Sequence, residues 1–349
     1  MKRLNLVVFF VCVSAAFSAF GASLADFPRL GGETSDSPRI ARAVASVPLG
    51  VLDVPAGRYE MDSTVKIENG ASLRLDKSAR FVAVKRLGNM FFYNATAGWK
   101  NRDNALFITG GEFDGAGLAE CCVQVVAFQH FTFRDSVFRN PKAAALIVGD
   151  KDGRGGYELI ANNLYFRNTM RGLAGNIGML IYSGDNHFTD CVIVDYTIGI
   201  DLRRGGSNRF TRCHVWGGPI PPPKKGEPAE MLKDSICFKL SGGESILRDC
   251  YADTGMIGFK VAANTRLLGC SYYNNYKTFK MDNPLVIEHL RGILTVADGY
   301  FSKTSPRSRL YREGTEADKD GKLFKLVWRD NIVNKFAPED LGLPESVLR

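Results

Sequence analysis

Along the strand of each repeat that runs into a glycine-rich turn, an apolar residue followed by a cation recurs: Leu202-Arg203, Phe238-Lys239, Phe259-Lys260 and Phe279-Lys280. Ten residues separate Cys250 from Lys260 and Cys270 from Lys280, so the register is internally consistent. If consecutive repeats stack, the four positive heads form a column. Two unit charges about 5 Å apart repel by roughly 3 kcal/mol at an effective dielectric of 20. One explanation is a track for an anionic polymer, such as a polyuronate or a sulfated glycan. The other is a set of solvated lysines, or lysines paired with acids on neighbouring turns. A track supports β-elimination. One cation neutralises a uronate carboxylate and acidifies the proton at C5, and a lysine whose proton affinity is lowered by cationic neighbours removes it. Lys239 and Lys260, central in the column, are the candidates for base and carboxylate clamp. Arg203 stays protonated and suits the clamp. Lys280 extends the substrate-binding track.

Glycoside hydrolysis is the competing chemistry, and it needs two carboxyls about 5 to 10 Å apart. Asp201 is expected to point outward on the strand that carries Arg203, which makes it a catalytic candidate. Glu230, Asp234, Glu244 and Asp253 fall on turns beside that strand, and Asp234 and Glu244 bracket the next one. The segment from Trp216 to Asp234 contains Gly-Gly-Pro-Ile-Pro-Pro-Pro, a stiff extended insertion, and long turns are where such scaffolds build specificity. Trp216 and a cluster of Tyr272, Tyr273 and Tyr276 are candidates for stacking on sugar rings. His187 and His214 lack a ligand partner at metal spacing. Gly153-Arg-Gly155-Gly156 lacks the lysine and following helix of a phosphate loop. No metal and no cofactor is expected.

The elements that must hold these residues are announced by a repeat. Six segments share the order apolar, two mostly polar residues, then Ser, Thr or Cys: Phe133-Arg-Asp-Ser136, Phe166-Arg-Asn-Thr169, Phe188-Thr-Asp-Cys191, Phe210-Thr-Arg-Cys213, Leu247-Arg-Asp-Cys250 and Leu267-Leu-Gly-Cys270. Their starts differ by 33, 22, 22, 37 and 20 residues, a unit of 20 to 22 with insertions. Asp135, Asn168, Asp190, Asp249 and Gly269 precede the small residue and tolerate a left-handed backbone, whereas Arg212 breaks that pattern. Alternating strands precede each unit at Ile200 to Arg204, Ile236 to Leu240 and Ile257 to Val261, followed in two cases by glycine pairs. Short strand, tight turn and short strand at this period predict an all-β fold, a single-stranded right-handed parallel β-helix. Cys191, Cys213, Cys250 and Cys270 then stack inside it as buried thiols. Their parallel side chains do not suit a disulfide dihedral. Ser35 or Asp36 caps a short helix that presents Ile40, Ala43, Val44 and Val47 to the first coil.

Several of these segments carry a family resemblance. Gly32-Glu-Thr-Ser-Asp36, Val54-Pro-Ala-Gly-Arg-Tyr59, Gly110-Gly-Glu-Phe-Asp114-Gly-Ala-Gly117 and Asn208-Arg-Phe-Thr-Arg-Cys-His-Val-Trp216 resemble the pectate lyase and polygalacturonase superfamily across roughly residues 26 to 300. The resemblance implies the β-helix, with a polysaccharide lying along the outward face of one sheet. The polygalacturonase signatures (Asn-Thr-Asp, paired Asp, Gly-His-Gly, Arg-Ile-Lys) are absent. The resemblance also keeps open a fructotransferase-type enzyme with an Asp and Glu pair.

Composition sets the remaining bounds. Lys2 and Arg3, an apolar run from Leu4 to Phe20 and the small residues Ala19, Gly21, Ala22 and Ser23 read as a cleavable export signal over residues 1–22. The β-helix is expected over 23–301, and an irregular cap of the same domain over 302–349. No segment is apolar enough for membrane insertion. A net charge of +8 favours an anionic partner. Dense basic runs and recognition-helix patterns are missing, so nucleic acid is not expected. The sequence therefore reads as a secreted or periplasmic chain that acts on a polysaccharide or oligosaccharide. A lyase leads, a paired-acid glycosidase follows, and a non-catalytic glycan binder or structural β-helix is third. Monomer and trimer both stay open.

Overall fold

The computed structural model describes residues 21–96, 106–170, 173, 175–217, 234–273, 283–288, 292–302, 309–313, 325–337 and 340–343. The signal segment 1–20, the insertion 218–233 and Lys280 lie outside the described residues, as do Glu230 and Tyr276.

Each coil contributes one short strand to each of three parallel sheets, and the described strands number twelve, eleven and ten in the first, second and third sheet. One coil illustrates the design. Asn208–Thr211 lies in the first sheet, His214–Trp216 in the second and Ile236–Leu240 in the third, and the chain re-enters the first sheet one rung further at Ser245–Arg248. The architecture is the right-handed parallel β-helix that the repeat predicts.

A single left-handed residue makes the bend between the first and second sheets. Asp135, Asn163, Asp190, Arg212, Asp249 and Gly269 occupy it in successive coils, with φ between 51° and 62°. The small residue after it turns inward. Cys191, Cys213, Cys250 and Cys270 are all free and buried, and the thiols of the last three reach backbone carbonyls of the preceding rung, as from Cys250 to Phe210 O at 3.4 Å. Inside, aromatic residues stack rung on rung: Phe188 on Phe210 at 4.9 Å and Phe238 on Phe259 at 5.1 Å. Such columns bury large apolar areas at offset-stacked geometry.

One expected register is corrected. Phe166-Arg-Asn-Thr169 belongs to the second sheet, where Phe166 pairs with Phe138. The rung that aligns with Phe133 and Phe188 is Ala161, and the left-handed residue of that coil is Asn163, not Asn168. Both sheets place an inward aromatic before a polar outward residue, so the two strands look alike in sequence.

The ends are also resolved. A helix over Ser37–Ala45 buries Ile40, Ala43 and Val44 against the first coils. Asp36 stands at its N-cap position but makes no side-chain cap bond. Its carboxylate binds Arg29, Arg39 and the Glu60 amide instead. At the other end the coils run past residue 301: Lys325–Arg329 pairs with Ile293–Ala297, and Ile332–Asn334 with Tyr300–Ser302. The charged sequence there hides strands whose outward positions mix Lys325, Arg329 and Asn334 with Val327 and Ile332.

Candidate functional site

The third sheet carries the cations singled out above, and its strands do not alternate simply. In Ile236–Leu240 two successive side chains, Cys237 and Phe238, are buried within the core, Lys239 faces out and Leu240 returns inward. Ile198–Leu202 and Ile257–Val261 follow the same pattern. A glycine fills the first inward position in both, because a Cβ on Gly199 would meet Val215 Cγ1 at 2.2 Å and one on Gly258 would meet Tyr272 at 2.5 Å. Each strand thus offers one central outward position. Reading along the sheet, that column is Ile147, Leu180, Asp201, Lys239, Lys260 and Val286.

This register corrects the four-cation column. Asp201, not Arg203, stands opposite Lys239, and Val286 occupies the rung after Lys260. Matching every apolar–cation pair ignored the two consecutive inward residues, and so set Arg203 two positions too early. Arg203 instead follows the strand end and folds back. Its Nε donates to Asp201 Oδ2 at 2.9 Å, its Nη1 to the Tyr182 hydroxyl at 3.1 Å, and the guanidinium lies 5.8 Å from the Tyr182 ring centre. Partial burial pushes the Arg203 guanidinium pKa down, and Asp201 more than offsets this, leaving it raised.

Asp201 faces outward as expected, yet its side chain is 0% exposed. Lys239 Nζ lies 3.8 Å from the same Oδ2, while Oδ1 is buried with no hydrogen-bond partner among the described residues. Lys260 pairs with Glu288 at 2.7 Å. Acids therefore flank both lysines and offset their mutual repulsion. Three cations against two acids leave the cluster one positive charge. Glu288 and Tyr182 are partners the sequence reading missed. Glu288 stands just beyond its strand, where alternation carries no information, and Tyr182 meets Arg203 only across neighbouring coils.

The paired-acid geometry is not assembled from Asp234 and Glu244. Asp234 is exposed where the chain enters Ile236–Leu240. Glu244 leaves at the far end and turns to Arg266 at 3.6 Å on the first sheet. Asp201 and Glu288 share a face but stand three rungs and two residues apart, about 16 Å at the backbone, beyond the spacing of either hydrolytic geometry.

Beside the cluster, the turns from the third to the first sheet form a trough of about 430 Å3. Gly155, Gly156, Gly184, Gly205 and Gly206 floor it, and Tyr157 and Tyr182 stand at its sides. Tyr157 is 54% exposed. Tyr182 belongs to both trough and cluster, so the two are continuous.

Trp216 and Tyr273 lie on the second sheet instead, both outward in one column with Asp253 between them. In the adjacent column His214 stacks on Tyr251 at 4.8 Å, and its Nε2 lies 3.8 Å from Asp253. Burial, with Asp253 nearby, pushes the Tyr251 hydroxyl pKa up. Tyr272 faces inward and donates to Gly255 O at 3.0 Å, so it belongs to the core.

The fold is that of the pectin-lyase-like β-helix proteins. No protein-family model matches the sequence, and no curated protein does. Among solved structures, ORF18 of Geobacillus virus E2 aligns at TM-score 0.59 and 16% identity over 95% of this chain, which spans 64% of the viral protein. The A-module of the Azotobacter vinelandii mannuronan C-5 epimerase AlgE4 aligns at TM-score 0.56 and 11% identity, covering 91% of this chain and 98% of that one. An alginate lyase from Paenibacillus sp. str. FPU-7 aligns at TM-score 0.52 and 12% identity, covering 85% and 97%. At these identities the likeness concerns the fold, and carbohydrate-active enzymes are among its bearers. Among the described residues no helix is long and apolar enough to cross a membrane.

Proposed function

We propose that the chain is an exported polysaccharide lyase that cleaves an acidic glycan by β-elimination on the outward face of the third sheet. The observation that carries this reading is the pair of adjacent outward lysines, Lys239 and Lys260, in a cluster that keeps a net positive charge after its ion pairs form. A uronate carboxylate placed there meets two ammonium groups and the Arg203 guanidinium, and sugar rings on one side continue into the tyrosine-flanked glycine trough.

The reaction needs a base for the C5 proton. One of Lys239 and Lys260 acts as base, and the other, with Arg203, holds the carboxylate and stabilises charge that develops at C5. The electron pair released at C5 forms the C4–C5 double bond, the C4–O bond breaks, and the departing oxygen takes a proton. The epimerase fold neighbour is named for C-5, the carbon where the proposed proton transfer occurs.

The test is a screen of polyuronates, sulfated glycans and neutral glycans, read by the ultraviolet absorbance of the new double bond. Lys239→Ala and Lys260→Ala are each expected to lower kcat at least about a hundredfold, the usual contribution of a positioned base. Full activity in both variants would remove the proposal. New reducing ends without the absorbance would replace it with hydrolysis, and binding without any product would leave a glycan-binding β-helix.

A further inference from the structure

The cations of the third sheet have acids among them, whereas a depression on the first sheet is lined by cations without a carboxylate. Its cavity, about 300 Å3, is lined by His187, Thr189, Arg209, Thr211, Ile246 and Arg248. The register explains the convergence. His187 stands opposite Arg209 and Thr189 opposite Thr211 on neighbouring strands, and the next strand sets Ile246 opposite Arg209 and Arg248 opposite Thr211. Arg209 and Arg248 are thus diagonal neighbours, about 8 Å apart at the backbone, and both are exposed.

The lining contains no carboxylate. Two of the nearby acids are engaged elsewhere: Asp190 takes both forks of Arg212 at 2.7 and 2.8 Å, and Glu244 pairs with Arg266 at 3.6 Å, while Asp185 and Asp249 lie on the turns outside the lining. Neither Arg209 nor Arg248 has an ion-pair partner among the described residues. Two guanidinium forks, two hydroxyls and an imidazole therefore converge on one concave surface with no carboxylate among them to receive their protons.

We infer that the outward face of the first sheet, centred on Arg209 and Arg248, is an anchoring site for the carboxylates of a polyuronate strand, separate from the third-sheet cluster. A planar carboxylate matches the guanidinium fork, which holds it through two parallel hydrogen bonds. Thr189 and Thr211 supply hydroxyl donors beside that anion, and Ile246 offers an apolar contact to the carbon face of a sugar ring. The inference shares an acidic glycan with the proposed lyase reading, but it needs no cleavage there.

Affinity electrophoresis in gels containing polygalacturonate, polymannuronate or polyguluronate tests it, with methyl-esterified polygalacturonate and dextran sulfate as controls. The double variant Arg209→Gln/Arg248→Gln is expected to bind its preferred polyuronate at least tenfold more weakly. Arg58→Gln, which removes an exposed arginine elsewhere, is expected to leave retardation unchanged. Added salt and methyl esterification should both abolish the difference between wild type and the double variant, because the attraction is ionic and exposed. Unchanged retardation of the double variant would overturn the inference. So would equal losses in Arg58→Gln, which would indicate bulk charge, retardation by dextran sulfate alone, or no retardation by any of the three polyuronates. Initial rates of double-bond formation on a short oligouronate separate this site from the lyase centre. An Arg209→Gln/Arg248→Gln variant that keeps its rate and loses polymer retardation supports the anchor. An inactive wild type that still shows the arginine-dependent retardation removes the lyase reading and leaves the anchor standing.

Discussion

Asp201 joins stability and chemistry in one residue. Its carboxylate is fully buried on an outward face and shares one oxygen between Arg203 and Lys239. Hydrogen bonds to charged groups contribute about 1.5 to 3 kcal/mol, and a buried pair broken from one side leaves its partner uncompensated. Arg203 is 42% exposed and Lys239 28%, so water recovers part of that loss. Asp201→Asn is therefore expected to destabilise by about 2 kcal/mol, measured by denaturant unfolding. The same variant separates two roles. If Asp201 positions the cations, removing its charge leaves a more positive cluster, and KM for a polyuronate falls or holds while kcat changes less than tenfold. A hundredfold loss of kcat with unchanged KM would make Asp201 itself a catalytic acid and favour a hydrolytic centre.

At the scale of the element, the single-residue bend between the first and second sheets sets the register of every outward column. Arg212 is the least suited occupant, with φ at 51°. A left-handed backbone costs an ordinary L-residue about 1 to 2 kcal/mol, while an exposed pair such as Arg212–Asp190 returns at most about 1. Arg212→Asn, which tolerates this conformation, is expected to stabilise by about 0.5 kcal/mol, seen as a higher thermal midpoint. A lower midpoint would show that the bidentate pair outweighs the strain. The bends also explain what the sequence disclosed. Cys191, Cys213, Cys250 and Cys270 follow the left-handed residue at fixed distance, so their ladder and the β-helix were readable. Asp201, Lys239 and Lys260 were readable as outward groups of one sheet. Their alignment was not, because Gly199 and Cys237 add a second inward residue that period-two alternation does not anticipate. Asn163 was missed because Ala161 offers no large apolar marker in its coil. The acid-free cluster at Arg209 and Arg248 was hidden because it draws on neighbouring coils 37 residues apart at Phe210 and Leu247, and only their register brings the two arginines together.

Across the whole molecule, each coil is stabilised by its neighbours, so a group buried mid-stack affects a long stretch of the solenoid. Asp195 is such a group. It sits on the turn from the second to the third sheet at φ 65°, 2% exposed, and its Oδ1 has no hydrogen-bond partner among the described residues. Burial pushes its carboxyl up to about 7, with Arg167 pulling the other way. The folded chain therefore holds this proton more tightly than the unfolded chain, whose carboxyl has the ordinary value of 3.8. The resulting stabilisation is complete below that ordinary value and is lost as the pH rises through about 7, where the buried group becomes an unsatisfied anion. Between pH 5 and pH 8 this one residue is expected to withdraw on the order of a few kcal/mol of stability. Asp195→Asn keeps a side chain that tolerates the left-handed turn but cannot ionise. Its thermal midpoint should gain on that of wild type as the pH rises, by several degrees more at pH 8 than at pH 5, so the two pH profiles diverge on the alkaline side. Parallel profiles would mean that the Asp195 carboxylate ionises without cost, with Arg167 supplying the counter-charge.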